Sequence, residues 1–270
     1  MLVSCRFLIR GLLSLFLLTA FSASSKGLPA LTANAIVARA VERAGHARAG
    51  QSCPAYTYTK VNVTEELDAK GKIKERKERV FQVNFSAGTT SVKLVEINGR
   101  APAQSDVKFQ AETQSNVHQF FGQPTTAGES HDAFLTSDVA AHFDFALVNE
   151  CLVSGRRTYQ VSFQPKTPEP PVHGVLDRVL NRISGTLWID AEEFEIARAD
   201  IQLGSEVDFL GGVIGCLRKL AYSMTRVRIA EGVWLHSFSS GDFEGRKLFE
   251  AMRIKTKSEC SNFRLMAAAK

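Results

Sequence analysis

Phe81-Gln82-Val83-Asn84-Phe85 and Tyr159-Gln160-Val161-Ser162-Phe163-Gln164 place an apolar side chain at every second position. Such alternation marks a strand with one buried face and one wet face. The period of two begins at Tyr56, and turn residues interrupt it at Asp68-Ala69-Lys70-Gly71, Asn98-Gly99, Ser154-Gly155, Asp190-Ala191-Glu192 and Glu231-Gly232. Together these predict strands near 54–64, 73–85, 90–98, 143–153, 157–165, 183–190, 194–203, 216–229, 232–241 and 247–260.

Before Tyr56 the period is helical. Ile36, Val37, Ala40, Val41 and Ala44 share one face over residues 30–49, with Thr32 as N-cap and Gly50 as stop. Short helices are predicted over 105–121 and 132–142, where Val107, Ala111, Gln114, Val117 and Phe121 follow no strand period. Strand–helix–strand alternation is missing, so the sheet should be an antiparallel meander. Ten strands with little helix must close or curl around something. A mainly β half-barrel follows, with the N-terminal helix and the short helices against its concave face. Such an interior can hold a small ligand. Phe81, Val83, Phe85, Tyr159, Val161 and Phe163 are candidates for either its core or a ligand-binding lining. Residues 203–217 carry four glycines among apolar side chains. Phe209 and Leu210 in that loop are candidates for a flap at the cavity mouth or for plain packing.

The N-terminus reads as a secretory signal over residues 1–25. Arg6 and Arg10 precede the apolar run Gly11 to Ala20, and small residues follow it. That run is about half the ~20 residues of a spanning helix, so the mature protein is expected to be soluble, not membrane-spanning, and outside the cytoplasm. Cys5 precedes the run, so no lipid-modified cysteine is expected after it. The change of period at Tyr56 predicts a single domain over 26–270. The formal charge of +5 falls to +3 once Arg6 and Arg10 are removed, since no acid goes with them. The densest basic run, Lys70 to Arg79, contains Glu75 and Glu78 and reads as a solvated hairpin. No nucleic-acid partner is expected.

Four cysteines remain, and in an oxidising compartment they suggest disulfides. In a strict meander Cys53, Cys151 and Cys260 reach one end of the sheet and Cys216 the other. A strand of about ten residues spans over ~30 Å, beyond the ~7 Å Cα limit of a disulfide. Cys216 should be unpaired, and Cys53–Cys260 is favoured, with Cys53–Cys151 as the alternative.

The succession Phe143-Asp144-Phe145-Ala146-Leu147-Val148, Gly155-Arg156-Arg157-Thr158-Tyr159, Phe163-Gln164-Pro165, Gly185-Thr186-Leu187-Trp188-Ile189-Asp190, Ile196-Ala197-Arg198-Ala199 and Gly232-Val233-Trp234-Leu235 resembles the bacterial outer-membrane lipoprotein-sorting-like proteins. These include half-barrels of the LolA, LolB and RseB types. The resemblance spans about residues 30–265. It implies a curved antiparallel sheet with helices on a concave apolar face, a periplasmic location, and binding of lipid or acylated lipoprotein. The RseB-like members imply an envelope protein as partner instead. The chain departs from the pattern by its four mature cysteines and the proline-rich insert from Pro165 to Pro171.

No catalytic constellation is found, and no cofactor or metal site is expected. Ser130-His131-Asp132 holds triad residue types, but adjacent residues cannot form a relay. Neither Gly-x-Ser-x-Gly nor His-Glu-x-x-His occurs, and no cysteine pair has zinc spacing. Asp190, Glu192, Glu193 and Glu195 read as a solvated turn. Three functions are therefore weighed. A carrier of acyl chains needs a continuous apolar cavity. An envelope sensor or interaction module would show a filled interior beside an exposed apolar patch. An unrecognised enzyme would show a cleft with perturbed titratable groups.

Overall fold

The computed structural model describes residues 31–48, 54–86, 89–106, 135–209, 215–247 and 250–266. Helix α1, Ala33–Arg48, begins where the Thr32 hydroxyl accepts the Ala35 N–H at 3.2 Å. That is the expected N-cap. Ile36, Val37, Ala40 and Ala44 are buried, which confirms the helical stripe. Burial of Ile36 and Val37 contributes roughly 1.5–3 kcal/mol each.

Eleven strands follow in one open, curved, wholly antiparallel sheet among the described residues. They are β1 (Tyr56–Leu67), β2 (Ile73–Ser86), β3 (Thr89–Ile97), β4 (Phe143–Val153), β5 (Arg156–Pro165), β6 (Ile183–Asp190), β7 (Ile196–Leu203), β8 (Val207–Phe209), β9 (Gly215–Ala230), β10 (Val233–Lys247) and β11 (Glu250–Leu265). Two short helices interrupt them, α2 (Ser137–Ala140) and α3 (Val175–Leu180). Asn98-Gly99 and Ser154-Gly155 both have positive φ at two successive residues. This is the primed-turn geometry that matches strand twist and closes short hairpins.

The order is β3-β2-β1-β11-β10-β9-β7-β6-β5-β4, with β8 beside β9. The expected strict meander is therefore corrected. β4 to β11 run as a meander, but β1 pairs with β11, so β3 and β4 form opposite edges. The long β3–β4 connection permits this crossing. The eleventh strand, β8, lies inside the segment read as a loop. β7 pairs with β9 only over Ala221 to Thr225, which leaves the start of β9 open, and Val207, Asp208 and Phe209 pair there with Leu217, Cys216 and Gly215.

In the described part of the helix expected over 132–142, only the four residues of α2 are helical, capped by Thr136. Most of the helix expected over 105–121 lies outside the described residues, as do Ser130, His131 and Asp132. Helix α3 follows the proline-rich insert and was not anticipated. Asp177 accepts the backbone N–H groups of His173 and Gly174 and so caps it. Asn181 ties the insert down, accepting from the buried His142 ring at 2.7 Å and donating to the Pro170 carbonyl at 3.0 Å.

Cys151, near the end of β4, and Cys216, at the start of β9, lie at opposite ends of the sheet and carry free thiols. No disulfide joins the described cysteines. Cys53, the expected partner of Cys260, lies outside the described residues.

Candidate functional site

Register decides which side chains share a face. Val161 pairs with Leu187, Leu187 with Ala199, Ala199 with Met224, Met224 with Ser239 and Ser239 with Ser258. On the far side of β11, Cys260 pairs with Lys60 and Lys60 with Phe81. Residues two apart on a strand share a face. Phe81, Val83, Phe85, Tyr159, Val161 and Phe163 therefore all project to the same side, and α1 packs on that side.

They fall into two clusters. The first joins Val161 and Phe163 to Ile36, Val37 and Ala40 of α1, and to Phe143, Leu187, Ile189 and Met224, with Tyr159 packed at its margin. The Phe163 ring covers Gly185, its cross-strand neighbour, where an added Cβ would meet the Asp200 carbonyl. The second cluster holds Tyr58, Phe81, Val83 and Leu94. Among the described residues, those packed against it, including Tyr56, Leu235 and Phe263, all come from strands. Phe85 stacks on Tyr56 with ring centroids 4.9 Å apart, and Tyr58 lies 5.6 Å from Phe263. Between the clusters Tyr222 is half-buried, and burial pushes its phenol up despite a hydrogen bond with Ser239. Phe209 ends β8 opposite Gly215; its side chain and Leu210 lie outside the described residues.

The carboxylates expected in a solvated turn are largely buried, which corrects that reading. Asp190 accepts the Arg156 guanidinium through two bonds, at 2.7 and 3.0 Å, and the backbone N–H groups of Glu192 and Glu193. Burial pushes the Asp190 carboxyl up, but Arg156 and those N–H groups outweigh it and hold it below the usual range. Glu195 accepts Arg43 of α1 at 2.8 Å and Arg226 at 2.9 Å, with both partners of the second pair almost fully buried. Glu193 accepts the Arg228 guanidinium and the Trp234 indole N–H. The hairpin thus ties α1, β5, β9 and β10 together. Every buried charge in it is paired, so it reads as a structural lock rather than a reactive cleft.

Glu206, Asp208 and Cys216 bring three potential metal-ligand atoms within 4.8 Å of one another. The Glu206 hydrogen bond, aided by desolvation, raises the Cys216 thiol, and Arg218 lies 3.5 Å from Glu206.

The opposite face carries a cavity of about 890 Å3. Its lining runs from Arg76 on β2 through β1, β11, β10, β9 and β7 to Thr186 on β6. Seven adjacent strands at about 4.8 Å spacing make a trough roughly 29 Å across. Register places the side chains of Glu65, Lys255, Asp242, Ser223, Asp200 and Thr186 on this face, away from α1. No helix among the described residues is long and apolar enough to cross a membrane.

Comparison with solved structures finds several likenesses, including these three. A LolA superfamily protein from Nitrosomonas europaea is 12% identical, with 89% of this chain and 96% of that one covered and a TM-score of 0.33. An outer membrane lipoprotein-sorting protein domain from Vibrio parahaemolyticus is 10% identical, covering 87% and 93%, with a TM-score of 0.30. A chain of the MucA/MucB complex of Pseudomonas aeruginosa is 11% identical, covering 86% and 99%, with a TM-score of 0.25. TM-scores this low carry no functional argument, so function is read from this chain's own faces. No family model matches the chain, and the search of curated proteins finds no match.

Proposed function

We infer that the protein is a non-enzymatic periplasmic binder that holds an apolar chain, of a lipid or an acylated lipoprotein, on the face of the sheet shared with α1. The support is that, among the described residues, α1 packs against only the first of the two apolar clusters on this face, which leaves the aromatic side chains of the second with strand neighbours alone. Phe85, Tyr56, Tyr58 and Phe263 supply the aromatic wall of the second cluster. Native mass spectrometry of protein from its own periplasm should find bound lipid. In vitro, a fluorescent fatty acid should bind, and Phe85→Ser should weaken it severalfold while the thermal midpoint moves little. A large fall in the midpoint with unchanged binding would make Phe85 core alone.

A second reading is favoured by a different feature. Pro171 to Leu176 are all exposed, and Val172, Val175 and Leu176 are exposed apolar side chains at the start of α3, just after the insert. An exposed apolar patch suits docking of an envelope protein. Crosslinking from Val172 to one envelope protein, with no lipid recovered, would favour this reading over the first.

A further inference from the structure

The trough opposite α1 has no role in the reading above. Its volume of about 890 Å3 lies within the usual range of ligand sites, about 300–1,000 Å3. Most of its charges neutralise one another. Arg198 pairs with Asp200 at 2.6 Å, Asp242 with Lys219 at 2.7 Å, and Lys257 with Glu259 at 2.6 Å, while Glu65 lies 3.7 Å from Arg76. Ser223 donates to Asp200. Thr186, Gln202, Ser240 and Lys255 line the trough and make no side-chain hydrogen bond or ion pair among the described residues. The groups left to meet a ligand are therefore two hydroxyls, one amide and one ammonium.

That set discriminates between ligand classes. An acyl chain would desolvate the paired charges without replacing their water. A nucleic acid needs an uncompensated basic stripe, and among the trough's described cations only Lys255 lacks a salt bridge; its cross-strand neighbours Glu65 and Asp242 are held by Arg76 and Lys219. An extended peptide draws much of its affinity from free backbone groups at a strand edge, but the trough crosses the middle of the sheet, where ladder pairing uses those groups. A ligand rich in hydroxyls can use hydroxyl and amide partners along its length, and one acid group can meet Lys255.

We propose that this trough is a second binding site, for an extended acidic oligosaccharide lying across β2 to β6. It is independent of the acyl reading, because it uses the other face. The test is NMR titration of the signal-free protein with hexagalacturonate and with maltohexaose as its neutral counterpart. Saturable amide shifts are expected at residues 186, 202, 240 and 255 with both, and tighter binding with the acid. Lys255→Ala should weaken hexagalacturonate about tenfold, as loss of one charge-assisted hydrogen bond implies, and leave maltohexaose unchanged. Ser240→Trp should block both sugars, and Thr186→Val, which keeps the shape, should weaken both if the bulkier variant misfolds. Fatty-acid binding should survive in every folded variant. Absence of saturable shifts with either sugar overturns the proposal, as do shifts confined to other strands or an equal loss of both sugars in Lys255→Ala.

Discussion

Replacing Glu195 by alanine tests whether the β6–β7 hairpin is a lock or a solvated turn. Glu195 and Arg226 are each 5% exposed, and Arg226 also donates to the Trp234 carbonyl at 3.0 Å. Removing the carboxylate takes from a buried guanidinium the counter-charge it holds at 2.9 Å, and breaking such a buried pair costs about 3–5 kcal/mol. Arg43 loses the same partner, but its side chain is 21% exposed and water can reach it. For a domain of this size each kcal/mol lowers the thermal midpoint by about 2–4 °C, so the fall should be roughly 6–20 °C by circular dichroism at neutral pH. A buried ion pair can often be replaced by apolar residues of similar volume at little cost. The double variant Glu195→Met with Arg226→Met should therefore recover most of the loss. A fall below about 2 °C in Glu195→Ala would return the hairpin to the class of exposed ion pairs, worth about 0–1 kcal/mol. A double variant as unstable as the single one would show that packing, not the stranded charge, sets the cost.

Asp190 gives a pH dependence with a defined sign. Its folded pKa is depressed, so its contribution is fully present above the unfolded carboxylate value of about 3.9 and is lost as pH falls through the folded one; Asp190→Asn should flatten that acid limb in urea titrations from pH 5 to 2. The Cys216 thiol is buried and raised by Glu206, so iodoacetamide at pH 8 should label it far more slowly in the folded protein than in urea, and rapid labelling without urea would refute its burial. Gly185→Ala forces a Cβ to 2.0 Å from the Asp200 carbonyl, and should destabilise by at least the 1–3 kcal/mol of an overpacked core; a neutral effect would mean that β6 and β7 can separate there. Asp at both Phe209 and Leu210 should weaken fatty-acid binding with little change in midpoint if they gate the mouth, and should lower the midpoint by many degrees if they close the core.

The strands were legible where one face is apolar, as in Phe81 to Phe85 and Tyr159 to Phe163, and a period of two needs no partner to be seen. Pairing β1 with β11 was not legible, since no local signal in Tyr56–Leu67 names a strand 190 residues away. β8 was hidden for a related reason: three residues carry no period, and only the open start of β9 gives them a place. The hairpin lock was missed because its carboxylates cluster within six residues, Asp190 to Glu195, while their partners Arg43, Arg156, Arg226 and Arg228 are scattered. One signal was available. Arg226 and Arg228 continue the alternation of Tyr222 and Met224, and a cation on a buried face requires a carboxylate from elsewhere in the fold.

The same alternation separates the two proposed sites within single strands. Thr186 and Leu187, and Ser223 and Met224, are sequence neighbours, and in each pair the first residue lines the polar trough while the second packs on the α1 side. A one-residue slip in any of these strands would exchange the two chemistries. An error of register would therefore appear as a trough variant that loses stability together with fatty-acid binding. If the register is right, Thr186→Val should change sugar binding alone, and Leu187→Ala should cost the 2–5 kcal/mol of a core truncation with sugar shifts intact in the folded fraction.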